Sequence, residues 1–182
     1  MVLFMKKVIV IGVTGSGKST LAEKLSAKLG YPYIQLDKLF WKANWEITPD
    51  DEFFKKISKA IDSEEWVLDG NYTRTNHLTL TVADTVVWID LPFWLTFYQN
   101  FSRSVKRAIV RNELWEGTGN RESFLRMFSS DSIIKWLFKT YSPHKKRNEA
   151  RLSSPNYSHI NFYRLRSRKE VNHFLKTVIE KS

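Results

Sequence analysis

Gly12-Val13-Thr14-Gly15-Ser16-Gly17-Lys18-Ser19 is the stretch that decides how this chain is read. Its pattern is glycine, four residues, then Gly-Lys-Ser. Glycines at 12, 15 and 17 permit a tight turn and let backbone N–H groups come close to phosphate oxygens. The Lys18 ammonium can reach the outer phosphates of a triphosphate, and the Ser19 hydroxyl can ligate a magnesium ion. Thr14, Ser16 and Thr20 complete the set expected to line the bound phosphates. A helix that starts at Lys18 would add its positive end to the same site.

The flanks support that reading. Lys6 to Ile11 is a β-branched run without alternation, as expected of a strand buried on both faces. From Lys18 to Leu29 the apolar positions Leu21, Leu25 and Leu29 recur every four residues, and Gly30 ends the helix. Further strands are predicted at Tyr33–Leu36, Trp66–Leu68, Thr85–Ile89 and Ile160–Leu165. Helices are predicted from Pro49-Asp50 through Ile61, from Pro92 to about Leu114, from Arg121 to Tyr141 and from Arg168 to Ile179. Pro143 to Pro155 is polar and basic and reads as a loop around a frayed helix. Strands alternating with helices predict an α/β layered fold formed by one domain over residues 1–182. Functional side chains in such folds gather beyond the carboxyl ends of the strands.

The composition fits this picture. The chain has 182 residues, 42% of them apolar, and no cysteine, which excludes disulfides and thiolate metal sites and makes a cytoplasmic setting the expectation. No apolar run approaches the roughly 18 residues of a membrane span. Lys6 and Lys7 follow the first apolar residues instead of preceding them, the reverse of an export signal. The net charge of +10 is unevenly placed: residues 1–100 carry 11 Lys and Arg against 12 Asp and Glu, and residues 101–182 carry 18 against 7. Such a field attracts polyanions, whether nucleotide phosphates or a nucleic-acid backbone.

Three aspartates close predicted strands. Asp69 follows Trp66-Val67-Leu68 and suits the magnesium partner of Ser19; an Asp-Gly turn at 69–70 is the plain alternative. Asp37 suits a group that holds or deprotonates an acceptor hydroxyl, or else caps a short helix through Leu39-Phe40-Trp41. Asp90, before Leu-Pro, reads as a structural strand end. Arg103, Arg107 and Arg111 share one helix face, with Arg121 and Arg126 beyond the Gly117–Asn120 turn. They suit a lid of about residues 103–126 that closes on a triphosphate, or a solvated basic face. Trp41, Trp45 and Trp66 are candidates for an acceptor wall, with core packing as the alternative. His77, His144, His159 and His173 lack metal-ligand spacing, and Lys145-Lys146-Arg147 reads as a solvated loop or a nucleic-acid contact.

Together these residues resemble the P-loop nucleotide-kinase superfamily, and adenylate-kinase-like proteins in particular. Asp69-Gly70-Asn71-Tyr72-Thr73-Arg74 is similar to the segment that holds the acceptor there, which implies acceptor binding by Asn71, Tyr72 and Arg74 beside Asp37 and Trp41. Leu36-Asp37-Lys38-Leu39-Phe40-Trp41, Asn112-Glu113-Leu114-Trp115, Asn120-Arg121-Glu122-Ser123-Phe124 and Tyr163-Arg164-Leu165-Arg166-Ser167 resemble bacterial DNA topology modulation (FlaR-related) proteins over nearly the whole chain. The resemblance implies a three-layer α/β/α kinase fold with a five-stranded parallel sheet in the order 2-3-1-4-5. It implies ATP and Mg2+ as cofactors and Lys18, Asp37, Asp69, Arg103 and Arg107 as the catalytic set. The function expected is transfer of the γ-phosphoryl group to a small hydroxyl-bearing acceptor. The alternative is an ATP-binding, DNA-associated regulator.

Overall fold

A computed structural model of the chain describes residues 5–110, 113–114, 118–120 and 133–178. Arg111, Arg121 and Arg126 lie outside these residues, as does the predicted helix start at Arg121. The described elements run β1 (Lys7–Gly12), α1 (Lys18–Leu29), β2 (Tyr33–Gln35), α2 (Leu36–Phe40), α3 (Asp50–Ala60), β3 (Trp66–Asp69), α4 (Asn76–Thr79), β4 (Thr85–Ile89), α5 (Phe93–Val110), α6 (Ile133–Leu152), β5 (Asn161–Leu165) and α7 (Arg168–Thr177).

The five strands form one sheet in the order β2-β3-β1-β4-β5, and every pairing is parallel. The inner strands read as unbroken apolar runs because both faces are covered: every residue of β3 and β4 is buried. On one face Ile9, Ile11, Leu68, Val86 and Trp88 pack with Phe40, Phe53 and Ile57. On the other, Val8, Val10, Val67, Val87 and Ile89 pack with Leu21 and Leu25 of α1 and Phe174 of α7. This is the layered α/β fold that the residue pattern predicts, with the three-layer arrangement and strand order that the kinase resemblance implies. Among the described residues no helix is long and apolar enough to cross a membrane.

Two local readings change. Residues 143–152 are not loop: α6 runs without interruption to Leu152, with Pro143 inside it. Polar side chains spaced four and three residues apart on one face, His144, Asn148 and Arg151, are buried there, and tertiary burial overrides the break that proline alone predicts. Trp66 is a core residue with no exposure, its indole N–H donating to the Ile61 carbonyl at 3.2 Å, so it forms no acceptor wall. At the other end of the chain, Ser167 and Glu170 cap α7 reciprocally: Ser167 Oγ accepts from the Glu170 N–H and the Glu170 carboxylate accepts from the Arg166 N–H.

The layering makes Leu25 a sensitive position, since it is fully buried between α1 and the sheet. Leu25→Ala is expected to cost about 3 kcal/mol in chemical denaturation, whereas Ile109→Ala, on the exposed side of α5, should stay within about 0.5 kcal/mol of the parent.

Candidate functional site

The glycine-rich loop joins the carboxyl end of β1 to α1, so the N–H groups of the first helical turn face its concave side. Its backbone is tightly enclosed. A Cβ on Gly12 would collide with Ser16 Oγ, and one on Gly15 would come within 2.6 Å of Asn100 Cβ and 2.8 Å of the Thr96 carbonyl. Gly15 also adopts a φ of 80°, in the left-handed region. The wall against Gly15 is a ridge of buried polar residues on α5. Thr96 and Asn100 are inaccessible to solvent, and Asn100 Oδ1 accepts from Arg103 Nη2 at 2.9 Å. Arg103 Nη2 also donates to Thr14 Oγ1 at 3.2 Å. Gln99, with its amide nitrogen turned to the loop, donates to the Gly15 carbonyl at 2.8 Å while its oxygen accepts from Arg168. Arg103 is therefore tied to the loop itself, and Arg107 lies one turn further along the same helix. Thr96, Gln99 and Asn100 were not singled out from the sequence. Their signal was a polar i, i+3, i+4 set on an otherwise aromatic helix.

Asp69 ends β3 directly beside β1, paired in register with Val10. It is only 6% exposed, and its Oδ2 accepts from the Tyr33 hydroxyl at 3.3 Å. Burial holds its carboxyl above the usual carboxylate range; Lys18 and Ser19 pull the other way, and Asp37 adds to the rise. Its Oδ1 is buried without a hydrogen bond, as is Ser16 Oγ in the loop. A buried carboxylate oxygen left unpaired beside the Ser19 hydroxyl fits a hydrated divalent cation, and a Gly-rich loop running into a helix N-terminus fits bound phosphates. Ser19 and Asp69 would hold magnesium, and residues 12–20 the triphosphate. Among the described residues no cluster of three His, Asp or Glu forms an all-protein metal cage, and magnesium bound through phosphates, one hydroxyl and one carboxylate needs none.

Asp37 lies in the first turn of α2, one residue past its start, so it does not cap that helix. Instead its Oδ1 accepts a 2.6 Å hydrogen bond from the Tyr72 hydroxyl, and Oδ2 takes none from the described residues. Burial, then the Asp37 charge, raises the Tyr72 phenol far above its ordinary value, so Tyr72 stays a donor. The Asp37 charge acts on Asp69, so the two carboxylates lie within electrostatic reach of each other. Trp41 packs edge-on against Phe40 and Trp45, with ring centroids 4.9 and 5.6 Å away. Arg74 lies over the Phe40 ring at 4.7 Å and pairs with Asp50 at 2.8 Å, while Asn71 precedes Tyr72 in the same segment. Asp90 is structural, as expected: Arg164 donates to it through Nε at 2.9 Å and Nη2 at 2.6 Å.

Asn120, met in the sequence only as the end of a glycine turn and the start of a family-like segment, has a structural role that this reading missed. It is 2% exposed, and its side chain bridges the loop after α2, donating to the Lys42 carbonyl at 2.8 Å and accepting from the Trp45 N–H at 3.0 Å. Between those two points Asn44 and Trp45 adopt φ values of 56° and 61°, unusual for residues with a Cβ. An amide is the side chain that offers a donor and an acceptor together at this spacing.

An AAA domain family matches residues 8–84, which span β1 to the residue before β4. A "Probable gluconokinase" of Schizosaccharomyces pombe is 55% identical over 38 residues, 21% of this chain and 20% of that protein, so the match spans about a fifth of that relative's length. Among solved structures, a gluconokinase from Sinorhizobium meliloti 1021 superposes with a TM-score of 0.53 at 16% identity, covering 96% of this chain and 89% of that one. A shikimate kinase from Acinetobacter baumannii in complex with shikimate gives 0.52 at 13% identity, over 94% and 89% of the two chains. These likenesses show the P-loop kinase fold.

Two outcomes follow from the site. The folded chain holds the Asp69 proton more tightly than the unfolded chain does, because the folded pKa is raised. The ionised carboxylate therefore costs stability above that raised value, and acidification toward the ordinary carboxylate range recovers it. In the absence of magnesium, Asp69→Asn should raise the melting temperature at neutral pH, by an amount that shrinks as pH falls through this window, and should abolish magnesium-dependent nucleotide affinity. Asn120→Ala, which orphans the Lys42 carbonyl and the Trp45 N–H, should cost about 1–3 kcal/mol by denaturation, with Asn120→Asp in between.

Proposed function

We propose that this chain is an ATP- and Mg2+-dependent kinase that phosphorylates a hydroxyl group of a small-molecule acceptor. The observation that carries the reading is Asp37. Its Oδ1 is fixed by the Tyr72 hydroxyl at 2.6 Å, its other oxygen takes no hydrogen bond from the described residues, and its charge acts on Asp69, which Lys18 and Ser19 also reach. In this reading residues 12–20 bind the triphosphate, and Ser19 with Asp69 holds the metal, which would neutralise charge on the phosphates. Lys18 and Arg103, from opposite sides of the loop, offset charge on the transferring group, with Arg107 beyond them on α5. Asp37 takes the proton from the acceptor hydroxyl as its oxygen forms the new O–P bond and the diphosphate leaves.

The acceptor would lie between Asp37, Trp41 and the segment Asn71–Arg74. The aromatic wall of Trp41, Phe40 and Tyr72 suits the apolar side of a ring or carbon chain. The names of the similar proteins, gluconokinase and shikimate kinase, support an acceptor of small hydroxy-compound type. Residues 1–182 are read as one kinase unit, with a lid of about residues 103–126. The basic second half is also accounted for in part by cations directed inward: Arg103 lies on the phosphate loop, Arg164 on Asp90, and Arg151 is buried. This favours a phosphate-handling site over a DNA-binding face.

An ADP-release assay over a panel of hydroxy acids, sugars, nucleosides and nucleotides tests the proposal. One class should stimulate turnover. Lys18→Ala should abolish it, and Asp37→Asn should lower kcat by about 10²–10⁴-fold with ATP affinity nearly unchanged. Acceptor-independent ATP hydrolysis that Asp37→Asn leaves intact would refute it.

A further inference from the structure

The short strand β2 sends its side chains alternately to the two faces of the sheet. Ile34 packs on the side of Phe40 and Phe53. Tyr33 packs on the other side, with Leu21 and Leu25 of α1. Gln35 shares the Tyr33 face by alternation, and it pairs in register with Asp69 as Tyr33 does with Val67. Val67 belongs to the α1 side of the sheet, so Asp69, two residues on, lies on that side too. Two neighbouring strands thus bring a phenol, an amide and a carboxylate together beside the first turn of α1.

The Tyr33 hydroxyl is where these groups meet. It accepts from Gln35 Nε2 at 2.9 Å, and it lies 3.3 Å from Asp69 Oδ2 and 3.4 Å from the Ser19 carbonyl. A phenol has one proton to give. With the Gln35 amide donating to its oxygen, that proton turns away from Gln35, toward Ser19 and Asp69. An ionised carboxylate is a stronger acceptor than a carbonyl, so Asp69 Oδ2 takes it. Asp69 Oδ1 stays buried without a hydrogen bond. A neighbour on β2 therefore makes the two oxygens of one carboxylate unequal. Without that bond, rotation about the Cβ–Cγ bond would exchange them.

We propose that Tyr33, itself oriented by Gln35, is a positioning residue of the magnesium site: it holds Asp69 so that Oδ1 is the oxygen presented to metal-bound water. Tyr33 acts through Asp69 and the Ser19 backbone and does not ligate the metal. Groups that hydrogen-bond a metal-binding side chain are worth about 10–100-fold in metal affinity. The proposal rests on the reading of Ser19 and Asp69 as the residues that hold magnesium, and the experiment separates the two.

The full chain is titrated by calorimetry with a non-hydrolysable ATP analogue, once with magnesium and once with EDTA. The ratio of the two affinities is the magnesium enhancement. Tyr33→Phe keeps the ring that packs against the core and removes the hydroxyl. It should lower the enhancement about tenfold, while affinity in EDTA stays within twofold of the parent. Gln35→Met, which lets the hydroxyl turn, should lower the same ratio by a smaller factor, and it carries the test should Tyr33→Phe misfold. In the Asp69→Asn background, adding Tyr33→Phe should change neither affinity further. An enhancement that both Tyr33→Phe and Gln35→Met leave whole, but Asp69→Asn abolishes, overturns the positioning role alone. A loss of equal size with magnesium and with EDTA also overturns it, since Tyr33 would then support the loop and not the metal. An enhancement that survives Asp69→Asn refutes the metal reading of Asp69, and the positioning role with it.

Discussion

The phosphate loop is held from behind by α5, and the rest of the site depends on that contact. Gly15 can present its N–H to the concave side only because no Cβ stands between it and Thr96 and Asn100. Gln99 and Arg103 then fix the loop's outer face through the Gly15 carbonyl and the Thr14 hydroxyl. The loop is thus preorganised by side chains nearly ninety residues away in sequence. Preorganisation matters here because donors already aimed at phosphates need no rearrangement when charge develops on them.

Around this fixed point the protein distributes charge by side. Asp69 closes β3, Asp37 opens α2 just after the adjacent β2, and each is partnered by a tyrosine hydroxyl. The two carboxylates raise the cost of further negative charge beside them. Positive charge from the loop and from α6 converges on His144, where Lys18, Arg147 and Arg151 all act. Asn120 fixes the loop after α2 by satisfying the Lys42 carbonyl and the Trp45 N–H at once.

Much of this was legible from residues alone. The β-branched run before Gly12, the leucines at 21, 25 and 29, and the strand-ending acids carry local signals that survive in the fold, because each depends on short-range periodicity or turn chemistry. What was hidden depends on partners distant in sequence. Thr96, Asn100 and Asn120 are ordinary polar residues until the fold buries them against a particular backbone group. Residues 143–152 read as loop because Pro143 and the basic run outweigh their weak helical pattern; only packing against the sheet makes His144, Asn148 and Arg151 a face. Asp37 falls in the first turn of α2, past the end of β2, so it does not cap that helix, and its bond to Tyr72 depends on a partner 35 residues away in sequence.

The central claim is that the phosphate loop is the donor half of a phosphoryl-transfer site whose acceptor is a small molecule. The most direct measurement follows the label of γ-32P ATP when the protein and magnesium are incubated with a small-molecule extract and the products are separated. The account predicts that label moves into an organic phosphate with the parent protein and not with Lys18→Ala. Label recovered solely as inorganic phosphate, or retained in ATP by a protein that binds it, would contradict the account.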